Sequence, residues 1–475
     1  MSKRVLLICH DIVGKKMGGS GIRYFELAKE LAKHFEVTLA IPNEPELSGL
    51  PFKTIRYINE ASFPPLIDSC DYIVAQLIEG PNVKYAVKQK KVIIYDFYNS
   101  IPIEYLGSLA FSKHKPTAQN DEMFKKLLSD YELFSLSGDY FICSNERQRD
   151  FWIGMLTATG NLLPTTVGGR TTEDLIGIVP FGLPAEAPKH RKSVMRGTIS
   201  GIDNNDFILL WAGGIWDWFD PLSAIRAMAL LADHPQIKLV FMGGTHPNKE
   251  IGRMSMADQA VKLAQDLGLY NKSIFFVSKW VDYAERANYL LEANLGISTH
   301  FNSLETRFSF RTRILDHLWT GLPSLITRGD WFSQYLAEQH IGVEVEYQNP
   351  ESIARAIVNL YDKPETLAKM RAKTRTVAPD FLWEVTTKDL VSAISRIETP
   401  LPKDASLVPA LDFNSTFIEN HQLQDEISGI KRELRSSEAD RVRLGQELHS
   451  VYNSRKWRMA MTFTSLYNVL RGRKR

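Results

Sequence analysis

The residues best suited to chemistry in this sequence lie between Leu295 and Asp330. An apolar run leads into a charged segment that stops at Gly-Leu-Pro, residues 321–323. The charged side chains of this segment are Glu305, Arg307, Arg311, Arg313 and Asp316. A guanidinium can hold phosphate oxygens with two parallel hydrogen bonds, which makes arginine a frequent phosphate ligand. The pattern therefore predicts a site for an anionic ligand, and we expect a nucleotide.

A strand, a turn and a helix must position these side chains. The pattern predicts a strand at 295–299, a helix at 310–319 and a second strand at 323–327. In an open parallel sheet, such a helix N-terminus faces ligands beyond the carboxyl ends of the strands. Arg311 and Asp316 fall on different faces of this helix, so only some of the three arginines can reach one ligand. The alternative for each arginine is a solvated basic surface.

Strand patterns alternate with helical patterns along most of the chain. The first set of apolar runs is at 4–9, 37–41, 72–76, 92–97 and 140–144, and the second is at 207–213, 238–244, 273–278, 295–299 and 323–327. Strands that alternate with helices predict parallel sheets covered on both faces. We therefore expect an α/β protein with two doubly wound Rossmann-like domains that face each other across a cleft. The predicted domains are residues 1–184 and 185–400, and 401–475 is predicted to be a linker, a helix and a basic tail.

A glycine cluster follows the first predicted strand. Gly18, Gly19 and Ser20 precede a helix and offer backbone N–H groups with little steric bulk. Arg23, near the start of that helix, either adds positive charge to the cleft or lies on a solvated face. Asp96 ends a buried strand at the cleft edge, where a carboxylate is costly unless it is solvated or paired. Two further acidic candidates of this half are Asp11 and Glu104.

Composition and cysteine usage indicate a soluble, cytoplasmic protein. The 475 residues are 44% apolar and 24% charged, and the formal net charge of +2 gives no global reason to expect nucleic acid. The three cysteines are widely spaced, which predicts neither a disulfide framework nor a zinc site. The first residues predict a strand rather than a signal peptide. No apolar run approaches the ~20 residues needed to cross a bilayer.

The C-terminal residues differ in composition from the rest. Residues 419–449 are polar with a helical, partly heptad-like apolar spacing, and they either pair two chains into a homodimer or lie back on one. Residues 454–475 carry basic clusters on both sides of an aromatic-containing amphipathic stretch. This pattern suits the surface of an anionic membrane, so we expect peripheral association with the inner face of the plasma membrane. The alternatives are a helix that packs on the protein body and a partner-binding helix.

Taken together, the order and spacing of these motifs resemble those of the GT-B glycosyltransferases, specifically family 4. The resemblance covers about residues 4–395 and rests on the glycine loop, the Pro-Phe-Gly-Leu-Pro linker at 180–184 and the Gly-Leu-Pro at 321–323. More narrowly, segments 213–218 and 305–316 look like those of bacterial surface-polysaccharide enzymes. The resemblance implies a retaining, metal-independent transfer of a sugar from a nucleotide-diphosphate donor to a glycan or lipid-linked glycan acceptor. It implies no further cofactor.

The resemblance also assigns roles to residues. Asp316 occupies the place of the second family acid, which contacts ribose, and its alternative is a helix-surface pairing with Thr312 or Arg313. The first family acid would stand at Phe308, so that acid is missing at its usual spacing, and Glu305 is a candidate to replace it. The implied catalytic residues are Asp96, Glu305 and Arg311. The implied donor-binding residues are Gly19, Gly213, Gly214, Arg307, Arg313 and Asp316, and the implied acceptor-side residues are Gly18, Ser20 and Arg23.

The cation that the family usually supplies after the first strand of the second half is also missing. The segment after Gly213 and Gly214 has no cation until Arg226, so the arginines of 307–313 would have to hold the diphosphate. Two other functions stay open. A nucleotide-sugar epimerase would change the donor without an acceptor, and a non-catalytic membrane-associated partner of a polysaccharide-synthesis complex would need no turnover.

Overall fold

A computed structural model of the protein describes residues 2–110, 115–244 and 254–403, together with Arg441, Leu444 and Ser454. The elements below belong to the first of two units into which the chain divides, Met1–Val408. Apart from those three residues, the predicted pairing helix at 419–449 and the predicted amphipathic tail at 454–475 lie outside the described residues. Within the described part, no helix is both long and apolar enough to span a membrane.

The first half contains a parallel sheet of seven strands. Its strands are β1 (Arg4–Ile8), β2 (Glu36–Ile41), β3 (Lys53–Arg56), β4 (Tyr72–Ala75), β5 (Val92–Asp96), β6 (Tyr140–Cys143) and β7 (Ile176–Ile178). Its helices are α1 (Gly19–Leu31), α2 (Phe63–Asp68), α3 (Gly80–Lys88), α4 (Ile101–Ala110), α5 (Ala118–Ser137), α6 (Glu146–Ala158), α7 (Pro164–Val167) and α8 (Thr172–Leu175). The strand order is β3-β2-β1-β4-β5-β6-β7. The central strands are apolar and buried on both faces because helices cover both sides.

The second half contains a parallel sheet of six strands. Its strands are β8 (Phe207–Ala212), β9 (Ile237–Met242), β10 (Ile274–Val277), β11 (Leu295–Ser298), β12 (Ser324–Thr327) and β13 (Gly342–Val345). Its helices are α9 (Pro221–Ala229), α10 (Ser255–Asp266), α11 (Arg286–Glu292), α12 (Leu304–Phe308), α13 (Thr312–Thr320), α14 (Trp331–Glu338), α15 (Pro350–Tyr361) and α16 (Pro364–Val377). The strand order is β10-β9-β8-β11-β12-β13. The predicted pair of Rossmann-like sheets is confirmed.

The chain then returns to the first half through α17 (Trp383–Thr386) and α18 (Lys388–Arg396). Lys3 Nζ donates to the carbonyl of Ile394 at 2.7 Å, and Asp389 accepts a hydrogen bond from the backbone of Ile178 at 3.0 Å. The last helix therefore packs beside the first sheet, although it follows the second sheet in sequence.

Direct contacts join the two halves around the carboxyl ends of their strands. Trp280 Nε1 donates to the carbonyl of Met17 at 3.3 Å, and Gln148 Nε2 donates to the carbonyl of Phe308 at 2.8 Å. Both contacts involve loops or helices that follow strand ends. The two strand edges therefore face the same cleft, as expected for a ligand bound at such edges.

Candidate ligand-binding cleft

The glycine cluster forms a tight turn from β1 into α1. Gly18 precedes the helix, and a Cβ at Gly21 would overlap the carbonyl oxygen of Ile12, so this position requires glycine. A Cβ at Gly19 would meet only the Tyr98 hydroxyl, at 3.9 Å. Ser20 Oγ lies 3.2 Å from the same hydroxyl. The predicted acceptor-side turn is therefore held against the segment that follows β5.

Arg23 and Asp96 form an ion pair that is fully buried, with both side chains 0% exposed. Arg23 Nε donates to Asp96 Oδ2 and its NH2 group donates to Oδ1, both at 2.7 Å. The guanidinium also lies 4.5 Å from the ring centre of Tyr98. Each oxygen of Asp96 already accepts a hydrogen bond from Arg23, whereas Arg23 NH1 has no hydrogen-bond partner among the described residues. Their predicted site roles stay predictions, and the geometry gives them a clear part in fixing α1 to β5.

Glu305 and Arg311 form a second buried ion pair, at the end of the second sheet. Arg311 donates to both oxygens of Glu305, at 2.7 and 2.6 Å. Asp330 lies behind them, with its Oδ2 atom 3.6 Å from Arg311 Nε and 3.2 Å from His300 Nε2. Burial and the neighbouring Arg311 lower the pKa of His300, so this histidine is neutral at neutral pH. Arg311 therefore lies close to two carboxylates, Glu305 and Asp330.

Arg313 is a buried cation beneath the glycine turn of the second half. Its NH2 group donates to the carbonyl of Gly214 at 2.9 Å, and its guanidinium faces the rings of Trp211 and Phe219 at 4.5 and 4.3 Å. Its NH1 group has no hydrogen-bond partner among the described residues. Burial, and then the charge of Arg311, lower the pKa of Arg313 to about 9. Binding of an anion beside this buried, incompletely hydrogen-bonded guanidinium would stabilise its charge.

The glycine turn above Arg313 is open on one side and tightly packed on the other. Gly213 has a φ of +99°, a conformation that favours glycine, and a Cβ at Gly243 would lie 2.6 Å from the Gly213 carbonyl oxygen. A Cβ at Gly214 would meet only the rings of Trp216 and Trp280, at 3.6 and 3.8 Å. The contacts of Gly243, Trp216 and Trp280 with the glycine turn were not predicted from the sequence. They depend on which strands are neighbours in the sheet, and no local sequence pattern shows this.

Asp316 is bound by an arginine that lies outside the charged segment at 305–316. Arg286 Nε donates to Asp316 Oδ1 at 2.9 Å, and the guanidinium is stacked 3.7 Å from the ring centre of Tyr283. The Asp316 side chain remains 28% exposed. The proposed pairing with Thr312 or Arg313 is absent among its described hydrogen bonds. Asp316 is therefore oriented by a fixed cation and still accessible.

The structure thus separates the predicted charged residues into three groups. Glu305 and Arg311 share one buried pair, Arg313 lies alone under the glycine turn, and Asp316 faces Arg286. Arg307 is exposed on the surface of α12, and its carbonyl accepts a hydrogen bond from Arg147 at 3.5 Å. In the described part of the chain, no group of three or more His, Cys, Asp or Glu residues is arranged to hold a metal ion.

Comparisons with known proteins identify the fold. No protein-family model and no curated protein match the sequence. Among solved structures, sucrose-phosphate synthase from Thermosynechococcus elongatus is 16% identical, with 83% of this chain and 98% of that chain covered and a TM-score of 0.60. Anabaena HepE in complex with UDP-glucose is 13% identical, with 83% of this chain and 100% of that chain covered and a TM-score of 0.59. WaaG, a glycosyltransferase involved in lipopolysaccharide biosynthesis, is 14% identical, with 82% and 98% covered and a TM-score of 0.55.

These similarities span nearly the whole of each matched chain. At such identities they establish the fold alone, and that fold is the GT-B arrangement that the sequence resemblance implied. The assignment to family 4 stays a prediction.

Proposed function

We propose that the protein is a glycosyltransferase that moves a sugar from a nucleotide-diphosphate donor to a glycan or lipid-linked glycan acceptor. The observation that carries this proposal is the buried Arg313 beneath the Gly213–Gly214 turn. Its guanidinium has a free NH1 group and makes no hydrogen bond to a carboxylate in the described part of the chain. A diphosphate beside the turn would supply the missing negative charge. One protein of the same fold binds UDP-glucose.

Catalysis would rest on electrostatic stabilisation of the leaving diphosphate. Negative charge grows on this group as the bond to the sugar breaks, and a preorganised buried cation stabilises it at that moment. Gly214 gives the backbone room to approach the phosphates, and Asp316 would accept a hydrogen bond from a ribose hydroxyl. With arginine in this role, we propose that no metal ion is needed. We also propose transfer with retention, which the sequence resemblance implies.

Glu305 is the proposed contact to the transferred sugar. Its carboxylate offers about four lone-pair sites, and Arg311 uses two of them. The remaining lone pairs can accept sugar hydroxyls without breaking the ion pair. Arg311 would then hold the Glu305 carboxylate in a fixed orientation.

The acceptor class and the role in polysaccharide synthesis come from the sequence resemblance, and the membrane association comes from the basic, aromatic-containing C-terminal residues. We propose a role in cell-surface polysaccharide synthesis, with peripheral association at the inner face of the plasma membrane through residues 454–475. WaaG, which shares the fold, is a lipopolysaccharide enzyme and is compatible with this role.

The first experiment is isothermal titration of UDP, GDP, dTDP and their common sugars. We expect one base to bind, and we expect Arg313→Met and Asp316→Ala each to weaken that binding by about tenfold or more, as for a lost charged contact. Arg328→Met and Asp266→Ala are matched controls, because both residues are exposed and paired only with surface ions.

Binding of none of these ligands would overturn the proposal and favour the non-catalytic partner. Conversion of the donor sugar without any acceptor, followed by NMR, would instead identify an epimerase.

A further inference from the structure

One face of α4 points from the first half towards Glu305. Glu104 and Gly107 are three residues apart on this face. Ser100 is the residue before α4 and begins its first turn, because its carbonyl accepts a hydrogen bond from Glu104 N at 2.9 Å. Gly107 marks where α4 meets α12, because a Cβ at this position would lie 2.8 Å from Cβ of Glu305. Glu104 is one helical turn earlier on the same face. Two glutamates from opposite halves of the protein therefore flank the same part of the cleft.

The two glutamates have different surroundings. Both oxygens of Glu305 accept hydrogen bonds from Arg311, at 2.7 and 2.6 Å. The carboxyl of Glu104 has no hydrogen bond to another described residue. Burial, and then the charge of Glu305, raise the pKa of Glu104 to about 8, and Arg311 only partly opposes this. Glu104 is therefore mostly a neutral carboxylic acid at neutral pH.

The other groups that face Glu104 leave this assignment intact. Tyr98 follows β5 and Tyr131 lies on α5, and burial raises the pKa of both phenols above their ordinary value. Both are therefore uncharged. Arg311 is the cation that acts on Glu104, and its hydrogen bonds go to Glu305 and Thr306. A neutral carboxyl can both donate a hydrogen bond and accept one.

The hydroxyl of Ser100 supplies an independent sign of a ligand. Ser100 is 4% exposed, and its Oγ atom has no hydrogen-bond partner among the described residues. A buried hydroxyl without a partner is unfavourable, and such groups in native structures call for an explanation. Ser100 lies one turn before Glu104.

We propose that Ser100 and Glu104 form a subsite for the sugar ring of the donor, opposite Glu305. The neutral Glu104 carboxyl donates a hydrogen bond to one sugar oxygen and accepts one from a neighbouring hydroxyl, and Ser100 Oγ bonds a third. The ligand class is a polyhydroxylated sugar attached to a nucleotide diphosphate. This inference rests on the proposed function. In it, Ser100 and Glu104 at the start of α4 provide the contact between the first half and the sugar.

The test compares the nucleotide sugar that the wild type binds with its parent nucleotide diphosphate, by isothermal titration at neutral pH. We expect Glu104→Ala to weaken binding of the nucleotide sugar by about tenfold or more and to leave binding of the diphosphate unchanged, because the variant loses both hydrogen bonds to the sugar. Glu104→Gln mimics the neutral acid and should stay within about threefold of the wild type. Ser100→Ala should show a smaller loss of the same selectivity. Glu122→Ala is the control, because this glutamate is exposed and bonds only Lys125.

A second readout needs no ligand. The infrared difference spectrum of wild type minus Glu104→Gln should contain the carbonyl band of a protonated carboxylic acid at neutral pH, and this band should disappear as the pH rises past about 8. Absence of the band at neutral pH would overturn the inference.

The outcomes separate the two proposals. If the diphosphate binds and Glu104→Ala leaves the affinity for the nucleotide sugar unchanged, or if Glu104→Gln is as damaging as Glu104→Ala, the subsite is wrong and the proposed function stands. If the wild type binds no nucleotide at all, the proposed function is wrong and the sugar subsite falls with it.

Discussion

At the scale of single residues, charge pairing decides which side chains of the cleft can meet a ligand. Arg23 and Asp96 form an ion pair inside the first half, and Glu305 and Arg311 form one in the second. Arg313 has no such counter-ion within the described residues. Arg313 is therefore a better candidate for binding an anionic ligand than the arginines that already form ion pairs.

Breaking the Glu305–Arg311 pair should be costly. We expect Glu305→Leu to lower the free energy of unfolding by ~3–5 kcal/mol, because a buried guanidinium is left uncompensated. Chemical denaturation checks this. The double variant Glu305→Leu/Arg311→Met should lose less stability than the sum of the two single variants, because no unpaired partner of the ion pair remains. A loss equal to that sum would contradict the pairing.

Glu104 should make stability depend on pH. Its pKa is about 8 in the folded protein and ordinary in the unfolded chain, so the folded state binds more protons between these values. The stability contribution is therefore fully present at low pH and is lost as the pH rises through about 8. Compared with Glu104→Gln, the wild-type melting temperature should fall more steeply over this window. Parallel curves for the two proteins would refute the assignment.

At the scale of elements, close packing between β11 and α13 holds the charged segment in place. His317 on α13 lies against Gly296 on β11, where a Cβ would overlap the imidazole ring, and its Nδ1 atom lies 2.8 Å from Ser324 Oγ. Burial lowers the pKa of His317 to about 3, so it is a neutral structural group. The helix that carries Arg313 and Asp316 is thereby seated directly on the sheet.

Replacing Gly296 should disturb this seating. We expect Gly296→Ala to destabilise the protein by ~1–3 kcal/mol through overpacking against His317, and to weaken nucleotide binding as α13 moves. Thermal unfolding and titration measure the two effects. Gly154→Ala is the matched control, because nothing lies within 4 Å of its added methyl on α6, and it should stabilise by about 0.5–1 kcal/mol.

At the scale of the whole molecule, the linker between the halves is fixed by the returning segment. Trp383 N donates to the Leu183 carbonyl at 3.0 Å, and Leu183 N donates to the carbonyl of Phe381 at 2.7 Å. A Cβ at Gly182 would lie 2.8 Å from the Cα atom of Trp383. The two halves are therefore connected twice, once by the linker and once by α17 and α18.

A methyl group at this junction should loosen the connection. We expect Gly182→Ala to cost ~1–3 kcal/mol, because backbone rather than a flexible side-chain tip must move. Limited proteolysis should cut Gly182→Ala faster near residues 180–190 than it cuts the Gly154→Ala control. Equal rates would show that the junction tolerates the extra carbon.

The sequence by itself determined the two-sheet architecture, because strands buried on both faces appear as continuous apolar runs separated by helical spacing. It missed β3, β7 and β13, which are three or four residues long and partly polar or glycine-containing. Short strands such as these leave too little pattern to distinguish them from loops. The helix predicted at 310–319 is found at Thr312–Thr320.

The partners of the charged residues were decided only by the tertiary structure. Asp96 meets Arg23 across 73 positions, and Asp316 meets Arg286 across 30. The local sequence identifies such residues as candidates, because burying a carboxylate or guanidinium near a strand end is unfavourable unless a ligand or another side chain pairs with it. Whether the partner is a ligand or another side chain depends on which distant elements pack against the charged residue, and only the tertiary structure decides this.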